Sequence, residues 1–277
     1  MSNAINDAAD WAARPGRHIV SLSGGKDSTA LAIYLRDKIP QLEYVFCDTH
    51  EELQETYDYL DRLEAFLQRK IERLNPSRGF EHWLDMYNGM LPSAQVRWCT
   101  RKLKIEPFEA YVKDDQVWSY IGIRADERRS GYISSKPNIT PVYPFKEHGL
   151  VLADIERLLD ESGLGLPEYY SWRQRSGCSF CFFQRTGEWL GLKERHPDLF
   201  ERAKQFETER GGEHFYWRQR ESLSDLEQPE RMAQVKREHL LRLEEERKRR
   251  PDRPLIELVG AALEAEDDAV GCDICHL

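Results

Sequence analysis

Six residues near the N-terminus, Ser23-Gly24-Gly25-Lys26-Asp27-Ser28, combine the features that hold phosphate. Two glycines let the backbone turn tightly with its N–H groups facing inward, two serines offer hydroxyl donors, and Lys26 supplies a cation. Asp27 is placed to coordinate Mg²⁺, directly or through water, or to cap the helix that follows. A β-rich run, His18-Ile19-Val20-Ser21-Leu22, precedes the six residues, and helical periodicity through Leu31, Ile33, Tyr34 and Leu35 follows them. The turn therefore leads into a helix N-terminus, whose unpaired donors and positive dipole end favour an anion. An ordinary strand-to-helix turn also favours Ser, Gly and Asp, but the complete pattern in this context is the more specific reading. It is not a Walker loop, because G-x-x-x-x-G-K-[ST] is absent.

Thiols form the second chemical set. Of six cysteines, Cys178 and Cys181 form one C-x-x-C pair and Cys272 and Cys275 another, while Cys47 and Cys99 stand alone. In a reducing compartment such pairs point to metal, cluster or redox sites rather than structural disulfides. The two pairs together make a tetrahedral Zn²⁺ set. Three or four thiolates in a partly apolar shell, such as Phe180, Phe182 and Phe183 provide, suit an iron–sulfur cluster. Free or redox thiols are the third reading. Cys47 lies in an apolar run and reads as a small core residue. His196 reads as a helix-terminal residue rather than a ligand.

These residues need a scaffold that carries them to one place. Strands are expected at 18–22, 44–47 and 117–123, with helices at 29–37 and from 51 to about 74 between them. Strand, helix, strand, helix, strand at this spacing specifies an α/β fold: a parallel sheet with helices on both faces. Ligands of such sheets bind beyond the strand carboxyl ends, where Asp48 and Thr49 follow the second strand. Asp48 also suits a helix N-cap. After Pro144 the texture changes. Helices are expected at 151–162, 186–210, 223–249 and 254–265, with the cysteine segment 176–183 among them. The expected division is a nucleotide-binding domain, 1–145, and a mainly helical, cysteine-bearing region, 146–277.

The 277 residues carry a net charge of −9, so the chain is not built to coat duplex DNA unaided. A run of cations, Arg247-Lys248-Arg249-Arg250, closes a highly charged helical stretch that reads as a solvated face or a contact for nucleic acid or a partner. No apolar run approaches the roughly 20 residues of a membrane span. No basic n-region with an apolar stretch opens the sequence, so the expected location is the cytoplasm.

Ser23 to Ser28 resembles the SGGxDS loop of the PP-loop superfamily, also called the adenine nucleotide alpha hydrolases. Asp48-Thr49-His50-Glu51-Glu52-Leu53-Gln54-Glu55-Thr56 is similar to the D-T-G-x-E-x-x-E-T segment of PAPS reductase-like proteins, with His50 standing where that segment has glycine. Trp98-Cys99-Thr100-Arg101-Lys102-Leu103-Lys104-Ile105-Glu106-Pro107 resembles the W-C-T-x-x-L-K-x-x-P stretch of the same family. Gly122-Ile123-Arg124 resembles the start of its G-x-R-x-x-E-S-x-R loop, and Pro141 to Phe145 resembles P-x-x-P-L. The blocks are correctly ordered across residues 18 to about 200. Together they resemble the PAPS reductase-like family, including the ATP pyrophosphatases of DNA phosphorothioation systems.

The resemblance implies an adenine nucleotide alpha hydrolase-like fold that cleaves ATP between its α- and β-phosphates. It implies catalytic roles for Lys26, Asp27, Arg101 and Arg124. Nucleotide contacts would come from Ser23, Gly24, Gly25, Lys26, Asp27, Ser28, Asp48, Thr49, Lys102, Lys104 and Gly122, with ATP and Mg²⁺ bound. In such relatives the loop bearing Cys99 approaches the later C-x-x-C, which gives Cys99, Cys178, Cys181 and Cys275 as ligands of a 4Fe-4S cluster, with Zn²⁺ as the alternative. The expected reaction is adenylyl transfer to an acceptor on DNA, tRNA or a small metabolite. A sulfur donor such as a cysteine desulfurase then displaces AMP, and a homodimer is an expected assembly. One alternative is a thiol-dependent sulfonucleotide (PAPS or APS) reductase, since Cys275-His276 is similar to the E-C-G-[IL]-H end of those enzymes, although the glycine is missing. The other is a non-catalytic nucleotide-sensing subunit.

Overall fold

The computed structural model describes residues 10–128, 135–210, 213–218 and 221–249. Its centre is a five-stranded parallel sheet of β1 (Arg17–Leu22), β2 (Leu42–Cys47), β3 (Ile71–Leu74), β4 (Val117–Tyr120) and β5 (Ile139–Val142), in the order β3-β2-β1-β4-β5. Nearly continuous apolar runs suit β1 and β2 to burial on both faces, because successive side chains of a strand point to opposite sides. Val20 and Leu22 enter one core with Leu31 and Leu35 of α1 (Lys26–Arg36). Ile19 enters another with Ile105, Phe108 and Val112 of a helix spanning 98–112. Helices therefore cover both faces, as the strand–helix alternation requires.

Two strands of this sheet are additions to the three expected. The helix expected through residue 74 is α2 (Gln54–Leu67), and it stops where Gln68 turns left-handed, at φ 51° and ψ 34°. Ile71 to Leu74 then pairs with Tyr44 to Cys47 as an edge strand. Its Ile-Glu-Arg-Leu pattern continues the helical spacing, so the period alone hides the change. The other edge, β5, contains Pro141, which is tolerated there because an edge strand leaves one side of its backbone without ladder bonds.

Beyond α3 (Phe80–Met86), the helix 98–112, here α4, contains a π-turn at Arg101–Ile105. Past β5, α5 (Leu152–Ser162) places Ile155 and Leu159 in the same core as Val20 and Leu31. The core of the sheet thus continues beyond residue 145. The helix expected at 186–210 is two, α6 (Thr186–Arg195) and α7 (Pro197–Phe206), because Pro197 can begin a helix but not continue one. A short ribbon, β6 (Thr208–Arg210) and β7 (Glu213–Phe215), and the long α8 (Pro229–Arg249) follow. Trp98, Tyr169, Trp172, Phe180, Trp189, Phe200 and Trp217 form the aromatic core of this part. The helix expected at 254–265 lies outside the described residues. Among the described residues, no helix is long and apolar enough to cross a membrane.

Candidate functional site

The sheet grows from β1 to one side through β2 and β3, then returns to the other side through β4 and β5. The connections leaving β1 and β4 therefore part from each other, and open a crevice beyond their carboxyl ends, where ligands of such sheets bind. The six-residue loop fills the β1 side of it. Gly24 has φ +70°, and a Cβ there would lie 2.6 Å from Thr56 Cγ2. Ser28 Oγ accepts from Ser23 N at 3.2 Å, donates to Gly25 O at 3.1 Å and lies 3.1 Å from Ser23 Oγ, which closes the turn on itself. Gly25 occupies the N-cap of α1 and no side chain caps this end, so Asp27 is not a cap. From the β4 side Gly122 packs against the loop, where a Cβ would stand 2.9 Å from Asp27 O.

Asp27 Oδ1 accepts from Arg124 Nη1 at 2.8 Å, and each side chain is only 14% exposed. Arg124 also meets Asp126 and Glu127, each at 2.9 Å. Burial works against the guanidinium's charge, yet the three carboxylates hold its pKa above the ordinary value. The pairing joins two sequence-derived candidates across the crevice.

Distant residues brace the loop. Tyr169 OH donates to Gly24 O at 2.8 Å, Lys26 N donates to Tyr170 OH at 3.2 Å, and Ser176 Oγ donates to Ser23 Oγ at 2.9 Å. The Lys26 ammonium lies 5.2 Å from the Tyr170 ring centroid, within cation–π range. Burial pushes both tyrosine hydroxyls up, which keeps them protonated, Tyr169 as a donor and Tyr170 as a neutral acceptor. None of these three residues stood out in the sequence, because such long-range props follow no short spacing. The aromatic run Tyr169-Tyr170-Ser171-Trp172-Arg173 was the available signal.

Beside the loop, Asp48 accepts from Tyr57 OH at 2.8 Å and from His50 N at 2.9 Å. His50 has φ +61°, so it keeps the left-handed turn that glycine would make freely. Thr49 Oγ1 lies 3.3 Å from Cys178 Sγ and donates to Glu52 Oε1 at 3.2 Å. Thr49, just past the end of β2, thus lies against the thiols.

Cys99, Cys178 and Cys181 line one cavity of about 40 Å³, together with Thr49, Lys104 and an aromatic wall that includes Phe180 and Phe183. Burial pushes the Cys178 thiol well above its ordinary pKa, with Glu52 adding to the shift and Lys104 opposing it. Among the described residues, no three His, Cys, Asp or Glu side chains are gathered about a point where a metal ion would sit. Cys272 and Cys275 lie outside the described residues. The donor set itself, three soft thiols in an apolar wall, matches the chemistry of a thiophilic group. Cys47 is a core residue, its thiol pushed up to about 12 by burial.

Beneath the cysteine turn sits Arg173, which belongs to no short motif in the sequence. It is 1% exposed, donates to Cys178 O at 2.8 Å, and leaves Nε and Nη1 without hydrogen-bond partners. Of the three cations in α4, Lys104 alone reaches the thiol cavity. Arg101 pairs with Glu106 and Glu109, and Lys102 pairs with Glu106 at 2.9 Å while lying 4.5 Å from the Trp83 ring. The structure does not bring Arg101 and Lys102 to the phosphate loop.

Residues 17–136 match the family model of the phosphoadenosine phosphosulfate reductase domain. The matched segment carries β1 to β4 and the loop, and it spans less than half of the chain. An uncharacterised protein of Methanocaldococcus jannaschii is 28% identical over 192 residues, covering 65% of this chain and 45% of that protein. An adenosine 5'-phosphosulfate reductase of Staphylococcus haemolyticus is 35% identical over 121 residues, covering 43% of this chain and 49% of the enzyme. The chain spans less than half the length of these curated relatives. The crystal structure of phosphoadenylyl-sulfate reductase from Candida auris superposes with a TM-score of 0.48 at 17% identity, covering 64% of this chain and 89% of that one.

Proposed function

We propose that this chain is an ATP-dependent adenylyl-transferring enzyme that activates an acceptor for sulfur incorporation. One observation carries the reading. Ser176 Oγ, two residues before Cys178, donates to Ser23 Oγ at 2.9 Å and so ties the loop at 23–28, at the point where the sheet order reverses, to the turn that enters a cavity lined by three thiols. The family to which residues 17–136 are matched supports nucleotide-dependent sulfur chemistry in general.

In this reading ATP·Mg²⁺ enters the crevice with its phosphates on the N–H groups of residues 23–28. Lys26 and Arg124 neutralise charge that develops on the phosphates, and the Asp27 carboxylate holds the metal. An acceptor oxygen attacks the α-phosphorus, the bond to the β-phosphate oxygen breaks, and pyrophosphate leaves. A sulfur donor then displaces AMP. Catalysis comes from positioning and charge stabilisation. Cys99, Cys178 and Cys181 would hold a 4Fe-4S cluster, which with three thiolates would supply an open iron for sulfide beside the acceptor, whereas Cys275 as a fourth ligand would close that position.

Anaerobic incubation with ATP, Mg²⁺ and candidate acceptors tests the reading. It expects AMP and pyrophosphate, lost in Asp27→Ala. Production of ADP and inorganic phosphate, or no pyrophosphate with any acceptor, overturns it. The match to an adenosine 5'-phosphosulfate reductase favours a second reading, reduction of a sulfonucleotide. Sulfite release from APS or PAPS in the presence of a thiol reductant would establish that one instead.

A further inference from the structure

A second hollow, of about 790 Å³, lies between the loop 90–96, the turn 182–186, the segment 214–218 and α8. It shares Pro92, Phe182, Phe183 and Trp217 with the thiol cavity, so the two adjoin across a common wall. We propose that this hollow seats an unpaired base of a single-stranded nucleic acid, the acceptor whose neighbouring atoms reach the thiol cavity and the phosphate loop. The proposal rests on the adenylyl-transfer reading and names its substrate class.

The lining carries the argument. Phe182 and Phe183 lie with ring centroids 4.2 Å apart, and His214 and Tyr216 lie 5.4 Å apart at an interplanar angle of 31°. Guanidinium groups stand among the rings. Arg185 and Arg218 line the hollow, and Arg97 lies 5.2 Å from the Phe183 centroid. Aromatic faces interleaved with guanidinium planes are what unstacked bases bind, whatever their identity, since every base has a π-face. The volume lies within the roughly 300–1,000 Å³ of ordinary ligand sites, enough for one nucleotide and too little for a duplex.

Charge argues for the same occupant. The whole chain carries −9, so a long stretch of phosphate backbone gains nothing from it. Two cations of the lining, Arg218 and Arg231, pair with Glu221, and Glu238 adds an acid to the lining itself. Binding must therefore rely on stacking of a flat ring more than on neutralising many phosphates. That is the balance expected for a base drawn out of its strand, and it predicts a shallow dependence on salt.

Fluorescence anisotropy of labelled twelve-nucleotide RNA and DNA strands, single and duplex, with the full chain tests this. Single strands should bind at least tenfold more tightly than duplexes of the same sequence. Phe183→Ala and Tyr216→Ala should each weaken single-strand binding roughly tenfold, whereas Tyr216→Phe should retain it. ATP binding by every variant, measured in parallel, reports an intact fold. The proposal is overturned if ATP-binding protein ignores single strands, prefers duplexes, or binds strands equally well after both alanine substitutions. Strand binding that depends on Phe183 and Tyr216, in protein that releases no pyrophosphate from ATP, would uphold the hollow as a base site and remove the adenylyl-transfer reading.

Discussion

Arg124 is the residue on which most charge converges, with Asp27, Asp126 and Glu127 all within 2.9 Å. Removing it leaves three acids facing one another in a half-closed crevice. Arg124→Ala should therefore lower unfolding free energy by about 3 kcal/mol, read by denaturant titration, and should weaken ATP binding as well. Arg124→Lys should recover part of the stability but little of the affinity, since an ammonium lacks the guanidinium's fork of donors. His50 is a test of opposite sign. Its φ of +61° is a conformation that costs a side chain roughly 1 kcal/mol, so His50→Gly should raise the melting temperature by a few degrees. No gain in a thermal melt would mean that the His50 side chain offsets the strain. The six loop residues, Arg124 and Gly122 were legible because each demands a particular residue type at a short spacing. Tyr169, Ser176 and Arg173 were not, because their roles depend on which segment folds back over the loop.

At the level of elements, the sheet was legible in its centre and illegible at its edges. β1, β2 and β4 are apolar enough to announce themselves, whereas β3 shares its spacing with the helix before it and β5 contains a proline. The end of β2 is tied to the second half of the molecule through Glu51. Its carbonyl accepts from Ser179 N at 2.6 Å, and its carboxylate meets Arg202 of α7 at 2.8 Å. Burial raises the Glu51 carboxyl to about 7, despite the opposing effect of Arg202. An acid raised above its unfolded value near 4.5 makes the folded state bind the extra proton. Its contribution is therefore greatest below about pH 4.5 and is lost as pH rises to about 7. Glu51→Gln should flatten stability across this window in denaturant titrations at stepped pH. An unchanged slope would assign the pH dependence to another group.

For the whole molecule, the decisive arrangement is that thiols from residue 99 and from residues 178–181 meet in one cavity, close to a loop completed before residue 30. Chain proximity shows only the second pair. The approach of Cys99 follows from the packing of α4 and the cysteine turn into the aromatic core around Phe80 and Trp98. Protein prepared anaerobically should show a broad absorption band near about 400 nm with iron and sulfide in matching amounts, and Cys178→Ser should lose both. Zinc without iron would leave the nucleotide site in place and remove the cluster from the scheme.

The braces on the phosphate loop also set an order of events during synthesis. Residues 23–28 are among the first made, yet the hydroxyls of Tyr169, Tyr170 and Ser176 that fix them come 144 to 153 positions later. At roughly 5–20 residues per second the ribosome needs on the order of ten seconds to supply them. For the earlier part of that interval β1 also lacks β4, its neighbour on one side. A nascent chain should therefore carry its nucleotide signature long before it can hold a nucleotide. Ribosome-bound chains halted just after β5 should ignore ATP, and those long enough to release Cys181 from the exit tunnel should retain it.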